Sequence, residues 1–137
     1  MTKTFIDSDI FLDVILDRKP YAKNSSKIFD QAIYKNISLY TSAVCFANIY
    51  YIASKNIGKV KAKKLITEFK TLFEGIPTSD RAIHLAIQSS FTDIEDAIQY
   101  YTAVENRLDL IITRNKNHFK HSEIPVLNPT QYLATLI

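Results

Sequence analysis

Short apolar runs alternate with stretches of helical periodicity along the whole 137-residue chain. Side chains repeat every two residues on a strand and every 3.6 on a helix, so one segment does not suit both. Strands separated by helices are laid down parallel, and the helices then cover both faces of the sheet. The alternation therefore predicts an α/β protein. The expected architecture is a three-layer sandwich, with a central, mostly parallel sheet flanked by helices.

The elements are read as follows. Thr4-Phe5-Ile6 is a short buried strand ending at Asp7, and the helix after it turns Ile10, Phe11, Val14 and Ile15 to one face. Arg18-Lys19-Pro20 closes that helix, and a second is expected over residues 21–34. Residues 37–41 form a strand. Residues 42–56 form a very apolar central helix, with Gly58 as its C-terminal cap. Residues 59–73 read as one amphipathic helix, with Leu65, Ile66, Phe69, Leu72 and Phe73 on one stripe. Gly75-Ile76-Pro77 suits only a short edge strand. Helices are expected over 80–90 and 93–107, and strands over 110–113 and 125–127. Asn128 caps a final helix with Pro129 at its first position. The order is β-α-α-β-α-α-β-α-α-β, a short turn, then β-α.

Composition narrows the function classes. With 47% apolar and 23% charged residues, the chain suits a globular protein with a real core. The length and the lack of a linker, repeat or low-complexity tract predict a single domain over residues 1–137. The two glycines, Gly58 and Gly75, cannot build either common phosphate-cradling loop. One cysteine, Cys45, excludes an internal disulfide and a multi-cysteine zinc site, and it reads as a buried inert thiol. No apolar run reaches the roughly 20 residues of a membrane span, and the start lacks a signal-peptide core, so the expected location is cytoplasmic. The net charge of +3 permits a nucleic-acid partner without requiring one.

Ligands of open parallel sheets bind beyond the carboxyl ends of the strands. Asp7, Thr41, Ser42 and Thr113 end strands there, with Asp9, Arg114, Asn115 and His118 just after. Thr92-Asp93-Ile94-Glu95-Asp96 starts the helix leading into the fourth strand. Carboxylates that share a cleft repel unless a cation neutralises them, and hard oxygen ligands suit Mg²⁺ or Mn²⁺. Structural roles compete with this. Asp7 and Asp9 also suit capping of the first helix. Thr92-x-x-Glu95 matches a capping box, which assigns Glu95 to helix stability and Asp93 to the helix dipole, and leaves Asp96 free. Asn115 also suits capping of the turn after the fourth strand. The stretch Lys59-Val60-Lys61-Ala62-Lys63-Lys64 reads as an RNA-attracting patch or, more simply, a solvated helix face. His84 and His121 read as structural.

Four segments together resemble the PIN domain family. Phe5-Ile6-Asp7-Ser8-Asp9-Ile10-Phe11-Leu12-Asp13 is similar to its opening strand and acid. Ile94-Glu95-Asp96-Ala97-Ile98-Gln99-Tyr100-Tyr101 is similar to its acidic helix start. Ile111-Ile112-Thr113-Arg114-Asn115-Lys116-Asn117-His118-Phe119 resembles its late strand and turn, often T-R-N-x-x-D-F. Pro125-Val126-Leu127-Asn128-Pro129-Thr130-Gln131-Tyr132-Leu133 resembles its last strand and helix. The resemblance implies a metal-dependent ribonuclease of the kind found as toxins in bacterial toxin–antitoxin pairs. RNA is then the substrate, and an antitoxin protein and a second copy of the chain are partners.

Carried over, Asp7 and Asp96 match the first and third family acids and are the expected metal ligands. Asp9 stands where the family usually has Asn. Asn48 and His118 replace the second and fourth acids. Asp9, Glu95, Asn48, Asn115 and His118 are the expected supporting residues, and His118 suits Mn²⁺ better than Mg²⁺. The two missing acids leave a competing expectation, a PIN-like module that binds RNA or protein with weak catalysis. A receiver-type signalling domain fits less well, because the middle strands end in Thr41 and Pro77, not Asp, and the last ends in Leu127, not Lys.

Overall fold

The computed structural model describes residues 1–136. Five parallel strands form one sheet: β1 (Thr2–Ile6), β2 (Ile37–Ser42), β3 (Phe73–Ile76), β4 (Leu110–Ile112) and β5 (Val126–Leu127). Their order across the sheet is β3-β2-β1-β4-β5, so β1 is central. Seven helices connect and follow them: α1 (Ser8–Ile15), α2 (Ala22–Ile33), α3 (Ala43–Ile57), α4 (Lys59–Phe69), α5 (Asp80–Gln88), α6 (Ile94–Glu105) and α7 (Pro129–Ala134). The element order is the one the periodicity predicts, and the short turn before β5 is a 3-10 helix over Lys116–Phe119.

Strand alternation sends neighbours to opposite faces. Ile6, Leu39, Leu110 and Ile112 join one core with Ile10, Phe11, Ile28, Phe29, Ile66 and Tyr132. Phe5 and Ile111, paired in register, join the other with Tyr100, Ala103 and Phe119 from α6 and the turn after β4. So α1, α2, α4 and α7 cover one face and α6 the other. The α3 helix serves both cores, with Ile49 and Ala53 in the first and Cys45 in the second. Cys45 is buried, and burial pushes its thiol up to about 12, so it is the inert thiol expected.

One element differs from the sequence expectation. The helix over residues 59–73 ends as α4 at Phe69, passes through a 3-10 turn and gives way to β3 at Phe73. Phe73 pairs with Leu39 of β2 and packs edge-on to Phe11, with ring centroids 5.1 Å apart. Backbone pairing plus burial of that ring outweighs one more helical turn, so the stripe of apolar residues overran the helix. Gly58 does end α3, at a positive φ of 85° that an L side chain rarely adopts. Asn128 caps α7 in a reciprocal capping box with Gln131, and Pro129 is its first residue. No helix of the described residues is long and apolar enough to cross a membrane. Lys59, Lys61, Lys63 and Lys64 are all exposed on α4.

Candidate active site

The carboxyl edges of β1 and β4 are where separate parts of the chain meet. The Asp7 backbone N–H donates to the Ile112 carbonyl at 3.1 Å, extending the β1–β4 pairing one residue beyond the strand. That fixes Asp7 beside Thr113. The Thr113 hydroxyl donates to Asp7 Oδ2 at 2.7 Å, and the Ser8 backbone N–H donates to Oδ1 at 2.7 Å. Asp7 thus caps α1 while lying buried at the sheet edge. Burial pushes its carboxyl up to about 7, and the nearby Asp9 charge adds to this. The hydrogen bonds from Thr113 and Ser8 pull the other way, and Asp96 adds a smaller upward push.

Asp9 sits in the first turn of α1 and accepts from Asn115 Nδ2 at 2.5 Å. Burial raises its pKa, against the opposing Arg114 charge. Asp96 reaches the cluster from the first turn of α6, and its Oδ2 lies 3.0 Å from His118 Nδ1. Burial, then the Asp93 charge, push Asp96 up to about 6, while His118 draws it down. Asn48, half-buried on α3, donates to the Ser8 hydroxyl at 3.4 Å, and that hydroxyl lies 3.5 Å from Asp7 Oδ1. Six of the seven sequence candidates therefore make a side-chain hydrogen bond or ion pair at this edge. Glu95 stands apart: it is exposed, makes no hydrogen bond among the described residues, and acts on Asp96 through charge alone.

Two capping assignments are corrected. The Thr92-x-x-Glu95 box does not form. The cap of α6 is Asp93, whose carboxylate accepts from the Asp96 backbone N–H at 3.1 Å. The helix starts one residue later than the box requires, because Asp93 has the extended backbone of a cap and a carboxylate suits the positive helix end. Asn115 likewise stands at the cap position of the 3-10 turn without capping it. Its side chain is committed to Asp9 instead.

Sequence reasoning gave no role to Asp13, Ser8 or Arg114. Asp13 is fully buried, and Arg114 grips it with Nε and Nη2 at 2.9 and 3.0 Å. Ser25 of α2 donates to it at 3.0 Å, and Arg18 lies 4.0 Å away. The signal was present: Asp13 interrupts an otherwise apolar run from Ile10 to Leu16.

The donor set is hard oxygen from Asp7 and Asp96, with Asp9 close by and a cavity of about 340 Å³ opening between Asp93, Asp96, His118 and His121. No group of three or more His, Cys, Asp and Glu among the described residues makes a ready cage for a metal. Mg²⁺ does not require one, since it keeps several waters and takes one or two carboxylates plus substrate phosphate. Carboxylates whose pKa values are raised by burial and by one another are groups that a cation would relieve. The residues therefore fit a divalent ion held jointly with water and substrate.

Residues 3–117 match the PIN domain family. The chain belongs to that family. Ribonuclease VapC1 of Aquifex aeolicus (strain VF5) is 29% identical over 135 residues, covering 95% of this chain and 92% of that protein. Among solved structures, the DNA-bound VapBC from Salmonella typhimurium aligns at TM-score 0.73 and 16% identity, covering 94% of this chain and 99% of that one. VapBC2 from Rickettsia felis, bound to a DNA fragment from their promoter, aligns at TM-score 0.72 and 17% identity, covering 93% and 98%. PIN domain ribonucleases are in general divalent-metal dependent. Within the PIN fold of this chain, His118 meets Asp96 directly and Asn48 reaches Asp7 only through Ser8.

Proposed function

We propose that this PIN domain, acting as a single unit, is a divalent-metal-dependent endoribonuclease that hydrolyses RNA phosphodiester bonds as the toxin of a toxin–antitoxin pair. The observation that carries this reading is the placement of Asp7 and Asp9 at the carboxyl edge of a PIN sheet, held by Thr113 and Asn115, with Asp96 held by His118 near enough for its charge to raise the Asp7 pKa. Asp7 and Asp96 would hold the ion. When bound, that ion neutralises phosphate charge and lowers the pKa of water. Thr113 and the Ser8 backbone orient the Asp7 carboxylate, and Asn115 orients Asp9. Asn48 acts through Ser8. His118 orients Asp96 and offers a nitrogen donor, which favours Mn²⁺ over Mg²⁺. Glu95 contributes only distant charge.

The toxin role is supported by the named ribonuclease relative and by the VapBC structures that share the fold. An antitoxin protein, a homodimer and a cytoplasmic location follow from that role. The deciding assay is cleavage of single-stranded RNA in Mg²⁺, Mn²⁺ and EDTA by the natural chain, Asp7→Asn and Asp96→Asn. The reading expects Mn²⁺-favoured cleavage that EDTA and each substitution abolish. Cleavage that survives all three would overturn it. A second reading, an RNA-binding module of weak catalysis, draws on the pairing of His118 with Asp96 where the family has an acid. RNA binding without cleavage in any metal would select it.

A further inference from the structure

A second cavity, of about 350 Å³, has Arg114 in its wall and takes no part in the chemistry above. The Asp96–His118 cavity lies on the α6 side of the sheet, whereas this one lies on the α2 and α7 side. Pro20, Tyr21 and Asn24 line it from the start of α2, Asn128 and Thr130 from the start of α7, and Arg114 from the turn after β4. Arg114 joins it to the carboxylates, because its chain neighbours Thr113 and Asn115 donate to Asp7 and Asp9.

What this cavity can bind follows from what Arg114 has left to offer. Its Nε and Nη2 are held by Asp13, so the guanidinium charge is already balanced by a buried carboxylate. That makes it a poor clamp for a phosphate. Its flat face remains, stacked on the Tyr21 ring with Cζ 3.9 Å from the centroid. Nη1 makes no hydrogen bond among the described residues, and Tyr21 is 44% exposed. Around this platform stand polar atoms that are still free among the described residues. Asn24 Nδ2 donates to Thr130 Oγ1 at 3.1 Å, leaving Asn24 Oδ1 and the Thr130 proton. Asn128 Oδ1 accepts from Gln131, leaving Asn128 Nδ2. A stacked, pinned aromatic–guanidinium pair ringed by donors and acceptors is the chemistry that recognises an unstacked nucleobase by its face and its edge.

We propose that this cavity is a nucleobase subsite, which takes the base adjoining the RNA phosphate that lies over the carboxylates. The proposal rests on the ribonuclease reading and adds to it a residue set that selects the cleavage position. Tyr21 supplies the stacking, and Asn24 with Asn128 reads the base edge.

The test is an abasic walk along a short fluorescent single-stranded RNA, with binding read by anisotropy in EDTA so that cleavage does not interfere. In the natural chain, loss of the base at one position weakens binding about tenfold. Tyr21→Ala weakens binding of the intact RNA by a similar factor and removes the penalty at that position alone. Tyr21→Phe, which keeps the ring, preserves the penalty, and Asn24→Ala alters the order of preference among the four bases there. A Tyr21→Ala protein that is folded by circular dichroism and has an unchanged abasic profile would overturn the subsite while leaving the ribonuclease reading intact. A natural chain that neither binds RNA nor cleaves it in Mn²⁺ would overturn both.

Discussion

At the scale of single residues, Asp7 is the group on which charge and fold conflict most directly. Its pKa in the fold is about 7, against an ordinary 3.8, because burial and Asp9 disfavour the charged form. A group raised in this way favours the fold fully below its unfolded pKa, and that contribution is lost as pH rises through about 7. Asp7→Asn keeps the shape and removes the charge. Without divalent ions at pH 8 it should raise stability by a few kcal/mol, on the order set by one pKa unit being about 1.4 kcal/mol. The gain should shrink towards pH 4, where the folded-state carboxyl is protonated and the unfolded-state one is about half so. Urea unfolding of both proteins at pH 4.5 and 8 in EDTA measures this, and equal differences at the two pH values would contradict it. His118 gives the complementary case. His118→Asp replaces the 3.0 Å contact to Asp96 with a second carboxylate, so the melting temperature in EDTA should fall. Mg²⁺ affinity by calorimetry should instead rise about tenfold, the size of effect seen when groups around a metal site are changed.

At the scale of elements, α6 depends on Asp93 and not on Glu95. Asp93→Ala removes the acceptor for the Asp96 N–H and should cost about 1 kcal/mol in denaturant unfolding. Glu95→Ala should leave stability within about 0.5 kcal/mol, as for an exposed side chain without a partner. A larger cost for Glu95→Ala than for Asp93→Ala would restore the capping box. The same helix start also sets the site, because the Asp93 cap positions the backbone from which Asp96 reaches His118. The α4–β3 junction shows the opposite balance. There the helical pattern continued to Phe73, and pairing with β2 decided where the helix stopped.

Across the whole molecule, Asp13 is the tie between layers. From α1 it holds Arg114, which follows β4, and Ser25 of α2, while Arg18 stands nearby. Removing one partner of a buried pair is costlier than lacking the pair, because a charge is stranded. Arg114→Ala strands a fully buried carboxylate and should cost roughly 3–5 kcal/mol. Asp13→Asn should cost less, since Ser25 can still donate to the amide oxygen and Arg114 is partly exposed. Unfolding midpoints of the two variants test the order, and the reverse order would mean that Asp13 is not held as a charge.

The chain's own sequence determined the succession of elements, the parallel sheet and the edge at which Asp7, Asp9, Asp96, Asn115 and His118 gather. Those follow from periodicity and from the rule that places ligands beyond the carboxyl ends of strands, both of which are read locally or from order. The caps at Gly58 and Asn128 were legible for the same reason. Tertiary structure alone decided the partnerships. Thr113 meets Asp7 across 106 residues, and Arg114 meets Asp13 across 101. Such pairs depend on strand register and helix placement to within an ångström or so, and side-chain type does not encode that. It also decided between competing local options, setting Asp93 over Thr92 as a cap and placing Phe73 in a strand, because burial and backbone pairing add to one local choice what the other cannot gain.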